Sequence, residues 1–316
     1  MKCVLCAGVS VITFTYPSCQ IHSNTFLAED LIFLANSFSG QKNSIIMTYK
    51  PHIIATLGAT GQTGRVVVRH LLAVRDAESL TLQIYVRSKI KLQSLFPGID
   101  SNPHVKIYEG SITDLEAIEN CCRGADTIIC TLGENMNIPG VRVMQDAADG
   151  IITSLKNLKA TEKKWQRPRL LLLSSSTYNA RFAAARPPVV HWLIKTAFSH
   201  PYADLAVAQT RFQENPSLVS LVLIQPPLLI EEEGTGHEIS TESVRLAVSY
   251  EDLGAAFVEL VLDDSHHTLS AVGVSSKLGD RPLRYAPEIF RRIFRGMLAH
   301  IWYFFFPVKA VAGKFV

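Results

Sequence analysis

An apolar strand that runs straight into three glycines set three residues apart, and from there into a helix, constrains this chain more than any other feature. The run is Ile53-Ile54-Ala55-Thr56-Leu57-Gly58-Ala59-Thr60-Gly61-Gln62-Thr63-Gly64-Arg65, and a helical apolar pattern continues through residues 66–72. A turn without side chains lets a pyrophosphate approach the backbone. The helix start supplies unpaired N–H groups and a partial positive charge. Set between strand and helix, the loop predicts a dinucleotide site built on Gly58, Thr60, Gly61, Gln62, Thr63 and Gly64.

Downstream, residues 80–86 and 105–108 read as strands, 114–122 as a helix ending before Gly124, and 127–132 as a further strand. A helix over 141–158 and a buried strand over 170–173 follow. This alternation predicts an α/β fold, a parallel sheet with helices on both faces. The second half is less regular. Residues 202–212 read as a helix and 218–224 as a strand stopped by Pro226 and Pro227. Residues 228–240 read as an acidic, glycine-containing loop or hairpin. Ser249 and Asp252 form a capping box ahead of an apolar helix over 253–262. Three parts result: an N-terminal extension over 1–47, a nucleotide-binding core over 48–225, and a small C-terminal lobe over 226–316 that covers the sheet's carboxyl edge and contributes to the substrate pocket.

With 316 residues, 47% of them apolar, the chain can bury a sizeable core. A net charge of +3, with no aromatic-rich basic stripe, gives no basis for nucleic-acid binding. Cys3, Cys6 and Cys19 lie near the N-terminus and Cys121, Cys122 and Cys130 in the core, which is no disulfide framework. Cys3 and Cys6 have metal or redox spacing without a second pair, so no metal site is expected. Lys2 and the apolar stretch to Phe14 resemble a short signal sequence without a small-residue cleavage site. Met47 stands just before the glycine-loop strand, where a cytoplasmic dinucleotide-binding protein would begin. The expectation is a cytoplasmic protein with an extension or a mis-assigned start, secretory targeting being the minor alternative. Residues 26–38 are too short and interrupted to span a membrane.

An NAD site commonly places an acid after the second strand to hold the ribose hydroxyls. Here the chain reads Tyr85-Val86-Arg87-Ser88-Lys89. Arg87 can stack on adenine and pair with a 2′-phosphate, with Lys89 or Arg65 adding charge, so NADP is expected in preference to NAD. Asp114 either holds the adenine amino group or caps the next helix, and the two roles are compatible. Gly133, after the fourth strand, permits close approach by the cofactor.

Together these residues resemble the extended or atypical short-chain dehydrogenase/reductase superfamily, in its NmrA-like, NAD(P)-binding Rossmann branch, over roughly residues 51–262. The resemblance assigns Arg87 to NADP selection, Asp114 to the adenine side, and Ser174 and Ser175 to the catalytic side of the fifth strand. Ile224-Gln225-Pro226-Pro227-Leu228 resembles the family's arginine–proline–glycine segment, with Gln225 for the arginine and Pro227 for the glycine. Within the superfamily the chain is most similar to fungal oxidoreductases of the averufin oxidase A group. The segments Tyr202-Ala203-Asp204-Leu205, Gly236-His237-Glu238-Ile239-Ser240, Val248-Ser249-Tyr250-Glu251-Asp252-Leu253 and Arg295-Gly296-Met297-Leu298-Ala299-His300 carry that likeness. It implies an aromatic or polyketide-derived small-molecule substrate from secondary metabolism.

The chemistry such enzymes use needs a tyrosine to protonate the carbonyl and a lysine four residues later to tune it. Four positions after Tyr202 stands Ala206, and after Tyr178, Phe182. His191 and Lys195 have the spacing without the tyrosine, and an amphipathic helix is their plainer reading. The ranking of catalytic candidates is therefore Ser175, Tyr202, Ser174, Tyr178, each with a structural role as its alternative. Residues 287–306 place Ile289, Phe290, Ile293, Phe294, Met297, Leu298, Ile301 and Trp302 on one helical stripe. Packing against the lobe or a second subunit is the plain reading, and peripheral membrane contact the alternative. An NADP-dependent oxidoreductase leads the functional readings. A non-catalytic NADP-binding redox sensor and an accessory assembly protein of a biosynthetic pathway are the alternatives.

Overall fold

The short apolar runs of the sequence become the strands of one eight-stranded sheet. A computed structural model describes residues 3–7, 10–14, 52–74, 80–184, 186–263 and 268–305; residues 26–38, weighed above as a membrane segment, lie outside them. The chain divides into two compact units, Met1–Thr48 and Tyr49–Val316. In the first, β1 (Cys3–Ala7) pairs antiparallel with β2 (Ser10–Phe14).

The second unit runs β3 (His52–Leu57), α1 (Gln62–Leu72), β4 (Leu80–Val86), α2 (Lys89–Leu95), β5 (Val105–Glu109), α3 (Leu115–Cys122), β6 (Thr127–Cys130), α4 (Val143–Thr161) and β7 (Arg169–Leu173). After β7 come a 3-10 turn (Ser176–Tyr178), α5 (Ala180–Ala183), α6 (Pro188–Ala197), α7 (Ser199–Gln213) and β8 (Ser220–Ile224). The chain closes with β9 (Leu228–Ile230), β10 (His237–Ser240), β11 (Ala247–Ser249), α8 (Tyr250–Leu262), β12 (Ala271–Ser276) and α9 (Pro282–Phe305).

The sheet order is β10-β12-β8-β7-β6-β3-β4-β5, parallel throughout except for β10 against β12. This is a Rossmann-type sheet. From β3 the chain fills one side through β4 and β5, then returns to fill the other through β6, β7 and β8. The reversal between β3 and β6 opens a crevice at the carboxyl ends of the strands. Register places the candidate residues along that edge: Leu57 opposes Tyr85 and Cys130, Cys130 opposes Leu172, and Leu173 opposes Ile224.

Alternation along each strand explains the two-layered core. Ile129 and Leu171 face α1 and α8, among Val67, Val68, Leu71, Leu253 and Phe257. Their neighbours Ile128, Cys130, Leu170 and Leu172 face α3, α4 and α7, among Ile118, Ile151, Leu155, Leu205 and Phe212. Gly254 lets α8 lie directly on α1, since a Cβ there would stand 2.5 Å from Val66 Cγ1. Cys121, Cys122 and Cys130 are buried free thiols, and burial raises all three, Cys122 to about 12 and Cys130 to about 11. Such thiols stay protonated and inert.

Two local expectations change. Residues 228–240 form neither a plain loop nor a hairpin. β9 pairs parallel with β11, and β10 pairs antiparallel with β12, each strand finding a partner beyond the reach of a local turn. The capping box is half formed. Ser249 Oγ accepts from Asp252 N at 3.0 Å, but the Asp252 carboxylate accepts from Thr235 N (3.0 Å), Gly236 N (2.9 Å) and Ser276 Oγ, while Ser249 N donates to Ser276 Oγ. Asp252 thus spends its acceptors on holding the 234–236 turn to β12.

The apolar stripe of α9 divides. Gly296 is buried against α6, where a Cβ would stand 2.3 Å from Ala197 O, and Ile289 packs beside Tyr285 and Ile230. Phe290, Phe294, Leu298, Ile301 and Trp302 are exposed, as are Val189 and Trp192 on α6. Among the described residues, no helix is long and apolar enough to cross a membrane.

Candidate functional site

The loop between β3 and α1 needs glycine at two positions for packing and leaves the third free. Gly58 has φ +95°, and a Cβ on it would stand 2.7 Å from Thr131 Oγ1 and 2.9 Å from Leu132 N. A Cβ on Gly64 would stand 2.1 Å from Gly58 O, inside the turn. A Cβ on Gly61 would meet only Gly58 O, at 3.3 Å. Gly61 is the N-cap of α1, makes no side-chain cap, and no acid occupies the first turn. The N–H groups at this helix start therefore have no built-in anion, and the surface above Gly61 carries no side chain. That arrangement fits a pyrophosphate.

The remaining cofactor-side residues divide between open and engaged. Thr63 is buried. Gln62 is tied to the C-terminal half: its Oε1 accepts from the Tyr250 hydroxyl at 2.7 Å and its Nε2 donates to Glu231. Arg87 stands exposed just past β4, and no described carboxylate pairs with it. Lys89 pairs with Asp100 at 3.0 Å and is thereby engaged, and Arg65 lines a surface cleft with Glu231, Glu232 and Glu233. Asp114 caps α3, Oδ1 accepting from Ala117 N at 3.0 Å. A Cβ on Gly133 would meet nothing nearer than Met144 Sδ at 3.9 Å, which leaves room beside the strand end.

At the end of β7 the four catalytic candidates separate. Ser174 is buried: its N–H donates to Ile224 O at 2.7 Å and its hydroxyl accepts from Gln209 Nε2. Tyr178 donates its hydroxyl to the Tyr202 carbonyl at 2.9 Å and packs edge-on to the Tyr202 ring at 5.4 Å. Burial, and then the neighbouring Tyr202, push the Tyr178 phenol up. Ser175 and Tyr202 come together, Oγ to hydroxyl, at 3.3 Å, and both are partly exposed. A substrate oxygen placed between them could take one hydrogen bond and one proton.

Two residues that sequence reasoning left out of the site hold this pair. Asp204, 1% exposed, reaches from α7 to the start of α4, accepting from Met144 N (2.9 Å) and Gln145 N (3.0 Å). It caps a helix whose own N-cap, Arg142, provides no side-chain cap, and burial still raises its carboxyl. Tyr202 lies two residues before it. Arg186 donates to Ser176 Oγ (2.6 Å) and Thr177 Oγ1 (3.0 Å), and Thr177 Oγ1 accepts from the Tyr202 hydroxyl at 3.4 Å. Capping across 60 residues has no local signature. Arg186 is marked only by preceding Pro187 and Pro188, which start α6. Gln225 is buried and accepts from Asn179 Nδ2 at 2.8 Å. Among the described residues, no group of three or more His, Cys, Asp or Glu could hold a metal.

Residues 58–264 match the family described as NAD(P)H-binding. Oxidoreductase stcQ of Emericella nidulans is 33% identical over 222 residues, covering 70% of this chain and 81% of its own length. Averufin oxidase A of Aspergillus flavus is 35% identical over 231 residues, covering 70% and 82%. A wide-type short-chain dehydrogenase/reductase from Veillonella parvula, solved in complex with NADP, shares the fold with TM-score 0.55 at 18% identity, over 73% of this chain and 97% of that one.

Proposed function

The chain belongs to the NAD(P)H-binding family of oxidoreductases, and on that premise we propose that it is an NADP-dependent enzyme acting on a carbonyl- or quinone-bearing aromatic, polyketide-type small molecule. The observation that carries the reading is the Ser175–Tyr202 pair, 3.3 Å apart on the same strand-end edge as the glycine loop. When bound, the dinucleotide supplies or accepts the hydride. The start of α1 and Gly61 would hold its pyrophosphate, Arg87 the 2′-phosphate, and Asp114 and Gly133 would line its path. Tyr202 gives a proton to the carbonyl oxygen in the reducing direction, while Ser175 donates a hydrogen bond to that oxygen and fixes its position. Residues after Pro226 supply the substrate-side lobe, and the relatives' secondary metabolism suggests the substrate class.

The test is a titration of the purified protein with NADPH and NADH, followed by nicotinamide fluorescence, and then a screen of quinones and aromatic ketones for its oxidation. Saturable NADPH binding is expected. Arg87→Ala should weaken NADPH by about tenfold or more, as loss of a charge-assisted contact does, and NADH much less. Equal weakening would remove Arg87 from its role. Ala206, where a lysine would be expected, favours the second reading, a sensor that binds NADP and NADPH without turnover. The exposed stripe of α9 supports a contact surface over residues 287–306. Sedimentation with and without vesicles separates a second subunit from a membrane.

A further inference from the structure

Basic side chains gather against the Ser175–Tyr202 pair with no acid to balance them. Arg186 is half-buried, and both of its hydrogen bonds go to neutral hydroxyls. Lys195 Nζ lies 5.7 Å from the centre of the Tyr178 ring, which itself packs edge-on against Tyr202. Among the described residues, no carboxylate pairs with either cation. Several more exposed arginines elsewhere do have acids: Arg69 has Glu251, Arg123 has Glu119 and Glu162, and Arg245 has Glu238 and Asp280.

Four further observations point the same way. Arg186 stands two residues ahead of Pro188, the first residue of α6, so the positive end of that helix adds to its charge. His191, on α6, is held below its ordinary range, first by burial and then by the charges of Lys195 and Arg186. Its Nδ1 is buried without a hydrogen-bond partner. Burial likewise lowers the Arg186 guanidinium. A desolvated cation beside another cation and a helix N-terminus costs free energy that neutral hydroxyls offset only in part. A negative charge delivered by a ligand offsets more of it.

We propose that Arg186, His191 and Lys195 form an anion-binding wall of the substrate pocket, so that the site takes an aromatic molecule bearing an ionised oxygen, a carboxylate or an acidic phenol. The inference rests on Ser175 and Tyr202 marking the reacting edge. The guanidinium and the His191 ring grip the ionised oxygen, and Lys195 adds attraction from the rim. The substrate's reacting carbonyl is thereby turned toward Ser175 and Tyr202.

The test uses full-length protein saturated with NADPH and three ring-matched probes: anthraquinone-2-carboxylate, its carboxamide and 2-hydroxyanthraquinone. Equilibrium dialysis gives each affinity. The carboxylate should bind about tenfold or more tighter than the carboxamide, the size of one charge-assisted contact. Arg186→Met should close that gap and Arg186→Lys should keep most of it, with NADPH affinity within about twofold of wild type in both. A gain by the phenol alone, on raising the pH through its ionisation, assigns a phenolate instead of a carboxylate and upholds the wall. Equal binding of all three probes by the wild-type protein overturns the proposal without recourse to any variant. A loss of NADPH affinity in folded Arg186→Met that matches the loss of probe would give the cations to the cofactor's phosphates and overturn it too. Tight, charge-selective binding without nicotinamide oxidation keeps the anion wall while sinking the oxidoreductase reading. Reduction of acid and amide with equal affinity does the reverse.

Discussion

Replacing Gly61 and Gly64 separately by alanine should split stability from cofactor binding. At Gly64 the new Cβ would stand 2.1 Å from Gly58 O and 2.7 Å from both Gly58 C and Thr131 Oγ1, and most of those atoms are backbone that cannot turn away. Overpacking of this kind costs about 1–3 kcal/mol. For a unit of this size that is about 2–4 °C of melting temperature per kcal/mol. At Gly61 the Cβ would meet one atom, Gly58 O, at 3.3 Å, and the φ of −77° suits any residue. Its stability cost should be about 0.5–1 kcal/mol, because glycine is preferred to alanine at an N-cap. The methyl would nevertheless stand where a phosphate must approach the helix start. Displacing it from one charge-assisted N–H contact forfeits about 1.5–3 kcal/mol, which is roughly 10- to 100-fold in affinity. Urea denaturation and NADPH fluorescence titration on the same preparations read both quantities. Gly61→Ala that melts like wild type and binds NADPH equally well would refute the phosphate-loop reasoning. Gly64→Ala with unchanged stability would refute the packing argument.

Tyr202→Phe should lower kcat by about 10²- to 10⁴-fold, the usual share of a proton donor, and leave NADPH affinity intact; steady-state kinetics of a quinone or ketone found by screening decides this. Asp204→Ala strips the Met144 and Gln145 N–H groups of their acceptor, and loss of such a cap should cost about 0.5–2 kcal/mol in urea denaturation. For His191, the folded-state value lies below its ordinary 6.5, so the unfolded chain takes up more protons on acidification. Its contribution is present above pH 6.5 and lost as pH falls through the depressed folded value. His191→Gln should therefore lose less stability than wild type between about pH 7.5 and about pH 5.5, read from paired urea curves.

What the sequence determined by itself was the local grammar of the fold. Strand and helix alternate with apolar runs of the right period, and each period is a property of neighbouring residues, so β4 was legible to its ends and α1 to within its first turn. The glycine loop was legible for the same reason: a turn that must come close to its own helix excludes side chains within a few residues. Ser175 and Tyr202 could be nominated, but their 3.3 Å meeting could not, because they stand 27 positions apart with two helices between them. Tertiary structure decided that Tyr178 braces Tyr202 through its carbonyl, that Ser174 is buried on Gln209, and that Asp204 caps a helix 60 residues away. It also decided that β10 pairs with β12 and that Arg186 and Lys195 come to one corner without an acid. Each of these joins residues whose separation along the chain carries no period or spacing. Strand order and helix packing bring them together, and those are set by burial of the whole core, to which every apolar residue contributes and no short motif speaks alone.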